Sequence, residues 1–141
     1  NHATIWRWRD AYQHDFAARM DWCVKPYADA NHPPEAEVAG AKEVQIRVGE
    51  SFTLDASGST DPDGDQLQYQ WIHYPEAGSY WHWRGLVMKD ADSPVLTLQV
   101  PPQVQLAKPQ TTHLILQVTD DGTPSLTRYQ RIIVHIMPAT E

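Results

Sequence analysis

Hydrophobic positions recur along this chain in two rhythms, and the change from one to the other divides it. Near the start Tyr12, Phe16, Met20, Cys23, Val24 and Tyr27 fall at steps of three and four, which lays one apolar stripe along an α-helix. The pattern predicts a helix over about 5–27, with Asp10 as its N-cap and Pro26 at its stop. A helix of about four turns is marginal by itself, so the stripe is expected to pack against something. The following Asn31-His32-Pro33-Pro34-Glu35-Ala36-Glu37 has no period and two prolines, and it reads as a linker.

From about Val38 onward the rhythm is two. Val44, Ile46 and Val48 alternate, and Phe52 and Leu54 continue after a Gly-Glu turn. Segments 67–74, 81–88, 95–100, 113–119 and 127–137 follow, with turn signals at Pro75-Glu76-Ala77-Gly78, Ser93-Pro94, Pro101-Pro102 and Asp120-Asp121-Gly122-Thr123-Pro124. About seven strands in about a hundred residues predict an immunoglobulin-like antiparallel β-sandwich, mainly β, preceded by one helix. The consecutive Ile132, Ile133 and Val134 point either to a strand covered on both faces or to a bulge. Residues 1–36 are thus read as a helical segment with a Pro-rich linker, and 37–141 as the sandwich.

Composition narrows the class. The chain has 141 residues, with 11 Lys plus Arg against 18 Asp plus Glu, a net charge of −7. That charge repels phosphate backbones, so no nucleic-acid partner is expected. No apolar run approaches membrane-spanning length, so no membrane partner is expected either. The single Cys23 cannot form an internal disulfide. The chain starts at Asn1 without Met, which suggests a piece of something longer.

Candidate chemistry sits in two places. Asp61, Asp63 and Asp65 alternate in one turn-rich loop, and three carboxylates so spaced suit a hard cation such as Ca²⁺. An EF-hand is excluded, because Gly64 is out of place and the twelfth position counted from Asp61 is Ile72. Asp120 and Asp121 are available as donors from another loop. The competing reading is that these side chains accept backbone N–H groups in Asx-turns. In the second place, Tyr80-Trp81-His82-Trp83 would put Trp81 and Trp83 on one strand face and Tyr80 and His82 on the other. Exposed indoles stack on the flat apolar faces of sugar rings, as aromatics stack on bases, so these four are the carbohydrate-binding candidates. Packing against the helix or a neighbouring domain is the competing reading, with Trp6, Trp8, Phe16, Met20 and Trp22 as interdomain candidates. Trp71 is expected in the core, with Leu54 and Leu116 where antibody domains place a disulfide. Neither a Gly-x-Ser-x-Gly elbow nor a zinc-type His spacing is present, so no catalytic residue is assigned.

Leu54–Trp71, LDASGSTDPDGDQLQYQW, together with the LQVTDDG of residues 116–122, resembles the polycystic-kidney-disease (PKD) repeat, an Ig-like sandwich carried by many secreted bacterial hydrolases and surface proteins. The segment after Trp71 departs from that pattern: Ile72-His73-Tyr74-Pro75-Glu76-Ala77-Gly78 replaces its usual acidic Gly turn. Further upstream, Ile5-Trp6-Arg7-Trp8-Arg9-Asp10, Asp15-Phe16-Ala17-Ala18-Arg19-Met20-Asp21-Trp22 and Asn31-His32-Pro33-Pro34 are similar to a junction in one bacterial family. There a nucleoside-hydrolase-like domain precedes a C-terminal β-sandwich, and one member is described as cellulose-binding. The resemblance implies a non-catalytic accessory module, secreted or periplasmic, that braces an upstream catalytic domain of the same polypeptide. It also implies an alternative, a module that binds polysaccharide through exposed aromatics, to which the Asp loop read above would add Ca²⁺.

Overall fold

Alternating apolar residues pair into seven strands in the computed structural model, which describes residues 3–80 and 85–139. They are β1 (Glu43–Arg47), β2 (Ser51–Asp55), β3 (Gln68–Tyr74), β4 (Val87–Lys89), β5 (Val95–Gln99), β6 (Gln110–Thr119) and β7 (Thr127–Met137). One sheet has the order β1-β7-β6-β3 and the other β2-β5-β4. Every pair is antiparallel except β1 with β7, which run parallel with Ile46 opposite Ile136.

The core lies between the sheets. Trp71 on β3 stands opposite Leu116 on β6, and its Nε1 donates to the Ser93 carbonyl at 3.0 Å, tying β3 to the loop before β5. Leu54 enters from the other sheet, and all three side chains are buried in one cluster. Truncating a core leucine such as Leu116 costs about 2–5 kcal/mol, so this pairing holds much of the stability. The Ile132–Val134 run is not bulged, because β6 and β7 stay in one-for-one register from Gln110–Ile136 to Thr119–Thr127. Ile132 and Val134 are buried, and Ile133 on the outer face is half-buried. The strand expected over 81–88 is observed only as β4, and 81–84 lie outside the described residues.

At the N-terminus α1 (Ala3–Arg7) leads into α2 (Arg9–Val24). Trp8 is the N-cap and Asp10 falls in the first turn, where its charge favours the helix dipole instead of capping an N–H. The C-terminal end is as expected: the Lys25 N–H closes on the Asp21 carbonyl at 2.8 Å, and Pro26 follows.

The proline-rich segment does not run free. Glu35 and Thr60 exchange two backbone bonds of 2.7 and 3.1 Å, and Asn31 and Pro34 are buried. Prolines fix an extended backbone at little entropic cost, and the sandwich supplies partners for it. Residues 31–37 therefore line the sandwich wall.

Candidate functional site

Gly64, at φ +81°, turns the acidic loop back on itself in a conformation that glycine adopts without strain. The turn sets Asp61, Asp63 and Asp65 side by side, with one carboxylate oxygen from each lying within 4.8 Å of the others. Asp61 Oδ1 accepts the N–H groups of Asp63 at 2.8 Å and Asp65 at 3.2 Å. Its Oδ2 is sealed from solvent and has no hydrogen-bond partner. Among the described residues the ion-pair partner of the trio is His32, whose Nδ1 lies 3.0 Å from Asp63 Oδ1 and whose backbone N–H donates to Oδ2 at 2.6 Å. Burial pushes the Asp65 carboxyl upward, and the charges of Asp61, Asp121, Asp120 and Asp63 push it the same way.

The five expected cation donors split into two groups. Asp120 is buried and holds the wall together: it accepts the N–H of Leu126 at 2.8 Å, that of Gly122 at 3.1 Å and the Asn31 amide at 3.1 and 3.2 Å. Burial raises its carboxyl, against the pull of those bonds. Gly122 leaves room for this arrangement, since a Cβ there would fall inside the Asn31 side chain. Asp121 accepts the Gln66 N–H at 2.8 Å. Asp120 and Asp121 thus act on the trio through charge, but they do not join its cluster of oxygens.

The expected helical stripe is the face turned away from the sandwich. Phe16 is 63% exposed and Val24 80%, while Ala18 on the other side is 1% exposed. Trp8 meets Tyr129 edge-on at 5.0 Å between ring centroids, Asp15 pairs with Arg128 at 3.1 Å, and His14 Nδ1 lies 3.0 Å from the Ser125 carbonyl. Hydrogen bonding to Arg19, and then to Arg128, holds the Asp15 carboxyl below the usual range. Trp22 Nε1 donates to the Asn31 carbonyl at 2.8 Å. Of the five interdomain candidates, Trp8 and Trp22 are spent within this chain, whereas Trp6, Phe16 and Met20 are exposed.

Spacing gave no sign of the aromatic stack at the foot of the helix. His32 lies against Tyr27 at 3.8 Å and Trp22 at 5.8 Å between ring centroids. It joins the helix to the acidic loop, a contact made by folding and not by any local period.

Tyr80 leaves the carbohydrate-binding set. It is fully buried, its hydroxyl donates to the Gly85 carbonyl at 2.7 Å, and burial raises its pKa. A sealed ring offers no face to a sugar. Trp81, His82 and Trp83 lie outside the described residues. His73 contacts Thr112 Oγ1 at 2.7 Å, and His135 lies 3.4 Å from Glu43.

Comparison with known proteins adds three similarities. Residues 51–136, more than half of the chain, match the family model described as cellulose-binding protein Sde0182, C-terminal domain. A nucleoside hydrolase-related hypothetical protein from Saccharophagus degradans, described as associated with carbohydrate metabolism, is 35% identical with a TM-score of 0.83. That similarity covers 93% of this chain and 32% of the other, so this chain spans about a third of that protein's length. The PKD domain from the KIAA 1837 protein shares the fold at 23% identity and a TM-score of 0.51, over 79% of this chain and 94% of the domain. No curated protein sequence matches the chain.

Proposed function

The chain belongs to the family of Sde0182 cellulose-binding protein C-terminal domains, and from that premise we propose that it is a non-catalytic accessory module that braces a neighbouring catalytic domain of the same polypeptide. In this reading residues 1–36 form the joint, 37–141 form the sandwich, and the polypeptide works in the periplasm or outside the cell. The similar Saccharophagus protein, about three times as long as the matched part, supports a larger context.

The outer face of α2 carries the proposal. Tyr12, Phe16, Met20 and Val24, four residues apart along the helix, are each about half exposed or more, and Ile5, Trp6 and Tyr27 are exposed as well. A contiguous apolar surface of this kind marks an interaction site more often than it marks free surface. The test is Phe16→Glu with Met20→Glu, placed in the chain alone and in the longer polypeptide. The chain alone should keep its melting temperature. In the longer polypeptide the joint should open, speeding limited proteolysis within residues 1–36 roughly tenfold. An unchanged cleavage rate there would overturn the proposal.

A second reading rests on the family description, which names a cellulose-binding protein. Here Trp81 and Trp83 stack on glycan rings. The chain should then sediment with insoluble cellulose, and Trp81→Ala with Trp83→Ala should leave it in the supernatant. Equal sedimentation of the double variant would remove both residues from this role.

A further inference from the structure

We propose that the end of the sandwich where β3 meets the start of β6 is an acid-sensitive latch, in which His73 and His113 must stay neutral for residues 78–80 to remain hooked onto Thr111. The proposal is independent of whether the module braces a domain or binds a glycan. The hook is a close crossing of two stretches of chain. The Ser79 and Tyr80 N–H groups both donate to the Thr111 carbonyl at 2.9 Å, and the Thr111 N–H donates back to Ser79 Oγ at 3.0 Å. Gly78 permits the crossing, since a Cβ there would fall on the Thr111 carbonyl. The next two residues of β6 connect the hook to the histidines. Thr112 is fully buried, and its Oγ1 lies 2.7 Å from His73 Nε2. His113 stands opposite Tyr74, the neighbour of His73 on β3. Successive strand residues point to opposite faces, so one imidazole lies on each face of the same strand end.

His113 is the sharper of the two. It is buried, and its Nδ1 is sealed from solvent with no hydrogen-bond partner. A neutral imidazole with its proton on Nε2 leaves only a lone pair at that place. Protonation puts a charged N–H there with no acceptor, which costs more than an unpaired lone pair does. The charged groups around it give no relief. Arg131, diagonally across on β7, opposes a second positive charge. The carboxylates of the adjoining elements are engaged elsewhere: Glu43 of β1 faces His135 at 3.4 Å, and Glu76, just after β3, pairs with Arg7 of α1 at 3.4 Å. Burial, and then Arg131, hold the His113 imidazole below the ordinary histidine range. Burial does the same to His73, against a weaker upward pull from Glu76. Groups lowered in the fold take up protons more readily in the unfolded chain. Their contribution is therefore whole above the ordinary histidine range and is lost as pH falls through and below it.

The experiment is amide hydrogen exchange on the full chain at about pH 7.5 and about pH 5, corrected for the intrinsic effect of pH, with the histidine ring protons followed by NMR across the same range. The Ser79, Tyr80 and Thr111 amides should exchange about tenfold faster or more in acid, while mid-strand amides such as Leu116 and Ile132 keep their protection. His113→Phe with His73→Gln removes both titrating groups and should hold the hook at its neutral exchange rate in acid. His113→Phe alone also removes the unpaired nitrogen, so it should fold at least as well as wild type at neutral pH and lose part of the acid response. Equal acid acceleration in the double variant and the wild type would overturn the latch. So would acceleration spread evenly over both sheets, which is global unfolding. Should the double variant fail to fold, the wild-type titration decides: both rings titrating below the ordinary histidine range support the latch, and either one titrating within or above it overturns it.

Discussion

The two faces of α2 are unequal in a way their composition does not announce. The inner face is Trp8, Ala11, Asp15, Ala18 and Trp22, a mixture of small, charged and aromatic groups, and it is the face that packs. The outer face is Tyr12, Phe16, Met20 and Val24, plainly more hydrophobic, and it faces solvent. The sandwich decides this by what it offers. At the start of β7 it presents Arg128 and Tyr129, with the Ser125 carbonyl beside them, and these are matched by Asp15, Trp8 and His14. A helix settles where its groups find partners, and here the more apolar stripe stays exposed.

The largest effect should come from Ala18→Glu, which forces a charge into a position 1% exposed. Denaturant unfolding should show a loss of about 3 kcal/mol or more, or separate release of α2. Phe16→Ala on the outer face should stay within about 0.5 kcal/mol of wild type. Equal losses for the two would erase the distinction between the faces. An intermediate effect is expected from Trp8→Ala, which forfeits the edge-on contact with Tyr129 at about 0.5–1.5 kcal/mol beyond lost area. Tyr129→Ala should cost less in that background than in the wild type, because the contact between the two rings is already gone.

The smallest effect is electrostatic and is read from pH. The Asp15 carboxyl is depressed in the fold, so its contribution is present above the ordinary carboxylate range and is lost as pH falls through and below it. Its ion pair with Arg128 is partly exposed, which limits the effect to under about 1 kcal/mol. Asp120 is raised instead, so its contribution is present below the ordinary range and is lost as pH rises through its elevated value. Stability measured against pH should therefore change slope in opposite senses for Asp15→Asn and Asp120→Asn. Parallel changes would show that the charged pair does not distinguish the two regions.

Much of the fold was legible because strand alternation and core burial are one fact read twice. Leu67, Tyr69 and Trp71 alternate in the sequence, and Trp71 stands in the core beside Leu116 because of it. The helix was legible as a helix, but its inner face was not, since periodicity identifies an apolar side without identifying its partner. Asn31, the core of the supposed linker's docking, carried no local signal: its partners Asp120 and Pro124 lie about ninety residues away. Tyr80 misled for a different reason. Alternation assumes an extended strand, whereas the Ser79 and Tyr80 N–H groups both turn onto the Thr111 carbonyl at 2.9 Å, which folds the ring inward. The acidic trio was legible as a cluster, and the sealed Oδ2 of Asp61 emerges only from the folded loop.

The parallel pairing of β1 with β7 has a mechanical meaning. Tension applied at the two ends of the sandwich enters at Glu43, the leading end of β1, and leaves at Met137, the trailing end of β7, and these ends lie at opposite extremes of the paired ladder. The two strands are then drawn past each other along their length, so the evenly spaced bonds between them bear the load together and none is unzipped ahead of the next. Stretching of the sandwich from these two ends therefore meets its strongest geometry.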